Sequence, residues 1–393
     1  MDFGFSEEER AFAAEFEAFL DTYATPDVAD ANPEQLSQTV DTPAKRAFMR
    51  QLALRGWLGM SWPREYGGQE RGGIYDFLLT EALSRAGAPQ PGKGVGIVGK
   101  TIIRHGNAAL KRFFLPRIIR GEIEFAIGYT EPQAGSDAAA MQLRAERDGT
   151  GWRLNGQKIF TTSAHFADWY WVAARTDPTV PKHKGITLFL IPMNHPGLTV
   201  QAMPTMGDER TNSVFFDNVW VGDDYVVGEL GKGFQYVSEA LDLERFTMFT
   251  FSPIEQRMEE LVAFVRGEER DGKPLGEDPI VRQRIARLAT QTEVARVLGL
   301  RFVANAMKGG PAPTTDASAY KLYATGLSQR LADATLDIAG PGGQLRIRTE
   351  DAPMRGRPEL TYRYTVIDTI GGGTSEIQKN IIARRKLGFP PNF

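Results

Sequence analysis

The apolar residues of this 393-residue chain change their spacing twice, and those two changes restrict what it can fold into more than any other feature. As far as about Glu124 they recur at helical spacing. From there to about Gly231 they alternate in short runs broken by turn residues, and near Gly233 the helical spacing returns. A helical block, a strand block and a second helical block predict an α+β chain with segregated layers, divided into residues 1–123, 124–230 and 231–393. The length exceeds that of one ordinary core and fits two or three packed units.

In the first block, Ser6 and Glu9 have the spacing of a capping box ahead of Phe12, Phe16, Phe19 and Leu20. Thr42 with Pro43 opens a second helix carrying Phe48, Leu52 and Leu54. After a Gly- and Pro-rich loop over 56–73, the amphipathic pattern repeats at Ile74–Ala86 and Ala108–Arg120. PQPGKGVGIVG lies between those two runs. It lacks the Gly-Lys-Ser/Thr ending of a phosphate loop and follows no strand, so it is not read as one. Strands are expected at Leu143–Glu146, Trp152–Leu154, Trp169–Ala174, Thr187–Ile191 and Val214–Val221, and helices at Gly233–Phe264, Asp278–Met307, Thr314–Ala339 and Ser375–Lys386. The stretches 222–231, 271–279 and 340–358 read as linkers, the last long enough for a functional loop.

Composition narrows the function classes. A net charge of −3, with no long block of like charge, points away from nucleic acids and membrane surfaces. The absence of cysteine excludes disulfides, thiolate catalysis and a Cys-based zinc site, and the four histidines lack the paired spacing of a helical metal site, so no metal is expected. The acidic opening MDFGFSEEER does not have the basic, apolar character of a targeting peptide, and no apolar run reaches the ~20 residues that span a bilayer. The expected location is a cytoplasm.

Chemistry concentrates between Gly128 and Ser163. GYTEPQAGSD follows the apolar run Phe125–Ile127 and forms a turn in which Thr130 and Ser136 flank Gly135, with Pro132 fixing one backbone angle. Such a turn can offer hydroxyls and amides to one polar ligand. Ile159, Phe160, Thr161 and Thr162 alternate as a strand with one covered face would, aiming a ring and a hydroxyl the same way. Two strand ends of this kind suit a flat, hydrogen-bonding aromatic cofactor. Ordinary turn chemistry at Thr130 and Ser136 and a core role for Phe160 are the structural alternatives.

TEPQAGSD followed by NGQKIFTTSAHFADW resembles the flavin-contacting middle domain of the acyl-CoA dehydrogenase family, and the likeness runs from the FSEEERAF opening to the closing GGGTSEIQKNIIARRKLG. It implies an N-terminal helical domain, a middle β-barrel-like domain, a C-terminal four-helix bundle and bound FAD. The implied reaction removes a proton from Cα and a hydride from Cβ of an acyl-CoA thioester, as in lipid metabolism, with an electron-transfer flavoprotein as acceptor. By motif match, Thr130 and Ser136 hydrogen-bond the flavin beside Ile127, Tyr129 and Gly135. Phe160 stands where many relatives carry tryptophan, and Thr162 where the hydroxyl nearest flavin N5 is expected. Arg270 matches an arginine that reaches the FAD of a neighbouring subunit, and Gly340, Gly342 and Gly343 match glycines that approach its ADP end; Thr374 and Glu376 complete that end. Ser375 with Gln378 is expected to cap the last helix. These carry-overs imply a homodimer or homotetramer. An exposed solvated arginine and a simple helix cap remain the plain alternatives at Arg270 and at 374–376.

The sequence departs from the family pattern at 372. Several branches carry a catalytic glutamate before Gly-Thr in this segment, whereas here Ile370 is followed by Gly371, Gly372, Gly373 and Thr374. The isovaleryl branch instead carries its base one residue before the arginine of a long helix, and Leu241–Arg245 (LDLER) resembles that segment. The resemblance therefore assigns the base to Glu244, substrate contacts or supports to Asp242 and Arg245, a further substrate contact to Ser136, and the thioester oxygen to the backbone N–H of Gly372. A structural ion pair is the alternative for Glu244 and Arg245. Two other functions stay open: a partner subunit of a heteromeric dehydrogenase, or a flavin oxidase, monooxygenase or tailoring enzyme acting on a carrier-protein thioester. The open space at Gly371 and Gly372 and the ring at Phe160 favour a bulky or branched acyl chain.

Overall fold

A computed structural model describes residues 4–29, 39–248, 250–307 and 314–390, except for the side chains of 242–248 and 307. The first block is helical: α1 (Glu7–Tyr23), α2 (Pro43–Leu54), α3 (Gly73–Ala86), α4 (Lys100–His105) and α5 (Ala108–Ile119). Both expected helix starts form. Ser6 Oγ accepts from the Glu9 amide at 3.2 Å while Glu9 Oε2 accepts from the Ser6 amide at 2.7 Å, and Thr42 caps α2 through the Lys45 amide. Phe12, Phe16, Phe19, Phe48, Trp57 and Tyr75 close the core of this block. PQPGKGVGIVG winds from Gly94 to Gly99 as a π-helix that runs straight into α4. Its glycines serve packing, because a Cβ at Gly99 would lie 2.2 Å from the Trp62 ring.

The middle block is one mixed sheet: β1 (Phe125–Gly128), β2 (Arg144–Asp148), β3 (Gly151–Lys158), β4 (Trp169–Arg175), β5 (Ile186–Pro192), β6 (Leu198–Pro204), β7 (Arg210–Gly222) and β8 (Val226–Val227). The order is β6-β7-β3-β2-β4-β5-β8, with β1 parallel to β4. In β4, Trp171 and Ala173 face a cluster with Phe114, Leu115 and Ile118 of α5, whereas Tyr170, Val172 and Ala174 face Leu154, Phe189 and Val214 inside the sheet unit. β4 is thus covered on both faces, and its residues 169–174 are all apolar. β6, which lay outside the expected strands, is an edge strand whose Thr199, Gln201 and Ala202 are exposed.

The second helical block comprises α6 (Gly233–Met248), α7 (Ser252–Gly267), the hairpin β9 (Glu269–Arg270) and β10 (Lys273–Pro274), then α8 (Pro279–Met307), α9 (Thr314–Ala339), α10 (Arg357–Tyr364) and α11 (Ser375–Arg385). The helical run expected from Gly233 to Phe264 is two helices that part before Ser252. Tyr236 and Val237 of α6 join the core under β4 and β5, and Leu300 and Val303 of α8 join the N-terminal core, so this block touches both others. Among the described residues no helix is long and apolar enough to cross a membrane.

Candidate functional site

β1 is buried at Phe125, Ala126 and Gly128, and a tight turn follows it, closed by reciprocal bonds between the backbones of Glu131 and Ala134. A carboxylate buried among apolar residues needs compensating donors. That of Glu131, 2% exposed, accepts from the amides of Gln142 (2.6 Å) and Leu143 (2.8 Å), from Gln133 Nε2 (2.7 Å) and from Lys158 Nζ (2.7 Å). Lys158 lies at the end of β3, is fully buried, and also donates to the Tyr129 carbonyl at 3.1 Å. Burial pulls its ammonium down to about 8, against the supporting charge of Glu131. The Ile159 amide then donates to the Thr130 carbonyl at 2.9 Å, so the two motifs separated in sequence lie side by side.

The strand expected through Ile159–Thr162 does not form, because β3 stops at Lys158. Asn212 of β7 ends the ladder. Its carbonyl accepts from the Thr161 amide at 3.0 Å, and its side-chain Nδ2 donates to the carbonyls of Thr161 (2.8 Å) and Thr162 (3.2 Å). Phe160 takes the left-handed conformation at φ 55° and is 58% exposed, while Thr161 turns inward to Tyr170. Ring and hydroxyl therefore reach the surface by a turn, and the hydroxyls of 161 and 162 have separate fates.

The hydroxyls of Thr130 and Ser136, on the loop after β1, and of Thr162, in the turn after β3, have no protein hydrogen-bond partner among the described residues. A Cβ on Gly135 would meet open space. The side chains of Ile127 and Tyr129 instead pack on the α5 core, and the Tyr129 hydroxyl accepts from Trp171 Nε1 at 2.8 Å.

The remaining candidates form two further groups. Arg270, on the β9–β10 hairpin, donates to the Ile338 carbonyl at the end of α9 and lies beside Gly340, which has φ 66°. Gly343 sits where a Cβ would press to 2.9 Å against Leu336 and Ala339, whereas Gly342 faces Pro353. At the other end, Gly372 and Gly373 have φ of 63° and 92°. Their turn is held from beneath: Lys321 Nζ of α9 donates to the carbonyls of Gly371 (2.7 Å) and Gly373 (2.5 Å), and Gln378 Nε2 to those of Gly372 (3.2 Å) and Gly373 (3.0 Å). The Gly372 amide has no acceptor among the described residues. The cap of α11 is Thr374, through the Ile377 amide, and not Ser375 with Gln378, because the glycine turn swings Gln378 inward. Glu376 is exposed, and a bond to its own amide, then one to Thr374, holds its carboxyl below the usual range. The side chains of Asp242, Glu244 and Arg245 lie outside the described residues.

Domain models of one family match along the chain in order: acyl-CoA dehydrogenase N-terminal domain over residues 6–122, middle domain over 126–219 and C-terminal domain over 231–387. The chain is 32% identical to acyl-CoA dehydrogenase FadE26 of Mycobacterium tuberculosis over 99% of both sequences. It belongs to the acyl-CoA dehydrogenase family. Among solved structures it is similar to the Tcur3481-Tcur3483 steroid ACAD (32% identity, all of both chains, TM-score 0.89) and to the ChsE4-ChsE5 complex from Mycobacterium tuberculosis (31% identity, all of both chains, TM-score 0.89). The protein is thus an oxidoreductase, an acyl-CoA dehydrogenase with the family's three-part fold, and acyl-CoA is the family's substrate. FAD is the family's typical cofactor, and the residues present fit a flat polar ring: the two adjacent segments carry an exposed aromatic side chain, an open glycine and three hydroxyls without a protein partner among the described residues. Glu131, Lys158 and Lys321 support these sites but escaped the sequence reading, since buried and solvated charges look alike in a sequence.

Proposed function

We propose that this acyl-CoA dehydrogenase binds FAD against Thr130, Ser136, Phe160 and Thr162 and converts a bulky acyl-CoA thioester to the 2-enoyl-CoA, with Glu244 as the base. The reading rests on an exposed, left-handed Phe160 and on the hydroxyls of Thr130, Ser136 and Thr162, which have no protein partner among the described residues. FAD, when bound, supplies the acceptor for the β hydride.

The chain's own residues position the substrate and move the proton. Val237 and Ala240 of α6 are buried, and Leu241 packs on the core under the β unit. Position 244 follows them at the i, i+3, i+4, i+7 spacing of one helix face. A general base near neutral pH is a carboxylate whose apolar surroundings disfavour its charged form, which an acyl chain packed on that face would provide. The Gly372 amide donates to the thioester oxygen and favours charge developing there. Positive φ at 372 suits glycine better than a carboxylate-bearing residue. Asp242 and Arg245 support the substrate beside Ser136. Arg270, Gly340, Gly342, Gly343, Thr374 and Glu376 serve the FAD of a neighbouring subunit in a dimer or tetramer, with an electron-transfer flavoprotein as acceptor. The three units divide at 1–123, 124–230 and 231–393.

A bulky acyl group is supported by Gly371 and Gly372 and by the likeness to a steroid ACAD. A second reading, that the chain is one subunit of a mixed assembly, is favoured by the likeness to the ChsE4-ChsE5 complex. Purifying the chain alone, supplying FAD and mixing it anaerobically with a panel of acyl-CoAs tests both. Bleaching of a yellow homo-oligomer by bulky thioesters supports the main reading. Flavin uptake or bleaching only after a second subunit is added supports the other.

A further inference from the structure

We infer that the buried Glu131–Lys158 pair is the latch that holds the cofactor cradle in its binding shape, which makes both of them positioning residues. The inference rests on the reading that the surface around Phe160 takes FAD. Three chain segments carry the candidate contacts on this side: the end of β1 with Thr130, the loop with Gly135 and Ser136, and the turn after β3 with Phe160 and Thr162. One ion pair joins all three.

Glu131 follows Thr130 directly and its carboxylate reaches across the base of the loop to the amides of Gln142 and Leu143, so residues 131–143 form a closed ring. Lys158 sits two residues before Phe160, and its ammonium bonds both the Glu131 carboxylate and the Tyr129 carbonyl. Neither side chain is more than 1% exposed, so water cannot replace a lost partner. Cutting the pair removes the tie between the loop base at 142 and 143 and the strand ends, leaving the Ile159–Thr130 backbone bond and the bonds from Arg175 to the Met141 and Ala139 carbonyls to hold these segments less tightly, while the sheet persists because β3 is separately paired along most of its length with β2 and β7. The cradle would then be ordered only when FAD binds, and the cost of ordering it appears as weaker affinity.

Breaking one half of a buried ion pair damages stability, whereas replacing both halves by apolar residues of similar size can leave stability nearly unchanged. The double variant Glu131→Leu/Lys158→Met therefore removes the latch without leaving an unpaired buried charge. The expected result is a full-length protein that still unfolds cooperatively, its apo melting temperature lowered because the 142 and 143 amides lose their acceptor. Hydrogen exchange of its 142 and 143 amides is faster, and FAD fluorescence titration gives a Kd at least about tenfold weaker, the scale of one well-placed hydrogen bond. Wild-type affinity with wild-type exchange in the double variant would overturn the inference while leaving the FAD reading intact. Wild-type protein that takes up no FAD would overturn the FAD reading first, and the latch role with it. Should the double variant not fold, Glu131→Gln keeps the volume but weakens the bonds to Lys158 and one amide, and unchanged FAD affinity in that variant would equally refute the latch.

Discussion

Glu124 should make the protein lose stability as pH rises, and replacing it by glutamine should remove that loss. The residue precedes β1 and is 8% exposed. Asp168 accepts from the Glu124 amide at 2.8 Å and from Arg46 Nη1 of α2 at 3.0 Å, which ties the first helical block to the sheet. Burial pushes the Glu124 carboxyl up from 4.5 to about 8; Arg46 and Lys93 oppose the shift and Asp168 adds to it. Between those values the folded state holds a proton that the unfolded chain has lost. The stabilisation linked to that proton is complete below 4.5 and is lost as pH rises through the folded value. At 1.36 kcal/mol per pKa unit the shift is worth at most about 5 kcal/mol, and relaxation around the site reduces it. Of this upper bound, about 4 kcal/mol falls between pH 5 and pH 8.5. Glu124→Gln should therefore gain stability over wild type by roughly that amount across the interval, followed by urea melts at pH 5, 7 and 8.5. A difference between the two proteins that stays flat with pH, or moves in favour of wild type at high pH, would refute the placement of a protonated carboxyl there.

Three further outcomes follow from the same structure. Glu81 of α3 accepts from the Phe251 and Ser252 amides and the Ser252 hydroxyl, capping α7 from another block, so Glu81→Ala should cost about 2–4 kcal/mol in thermal or urea melts and speed exchange in the first turn of α7. Phe160→Gly should relieve a left-handed backbone, raising apo stability by up to about 1 kcal/mol, while FAD titration shows weaker binding; tighter binding would contradict the surface role of the ring. Lys321→Met should strand the carbonyl of Gly371, leave that of Gly373 to Gln378, and cost about 2 kcal/mol, read as a fall in melting temperature.

How much of this could be read without coordinates depends on which signals are local. The capping box at Ser6, the cap at Thr42 and the double change in apolar period are local, and the structure follows them. The end of β3 is not local: it is decided by Asn212, some fifty residues away, whose side chain takes carbonyls that a longer ladder would have used. For the same reason Ser375 and Gln378 looked like a capping pair, although the positive φ of the glycines before them hands the cap to Thr374. The candidate contacts at Thr130, Ser136, Gly135 and Phe160 were legible as a motif because a hydroxyl-flanked turn has few local solutions. Glu81, Glu124, Glu131 and Lys158 were not, since nothing in the sequence near a charged residue says whether its tertiary neighbours will bury it.

The central claim concerns one carboxylate, and the most direct measurement is anaerobic mixing of FAD-loaded Glu244→Gln protein with an acyl-CoA that bleaches wild type. Binding without bleaching, the flavin staying oxidised although the thioester is held, is the predicted result. Complete bleaching by the variant at the wild-type rate would contradict it and place the base elsewhere.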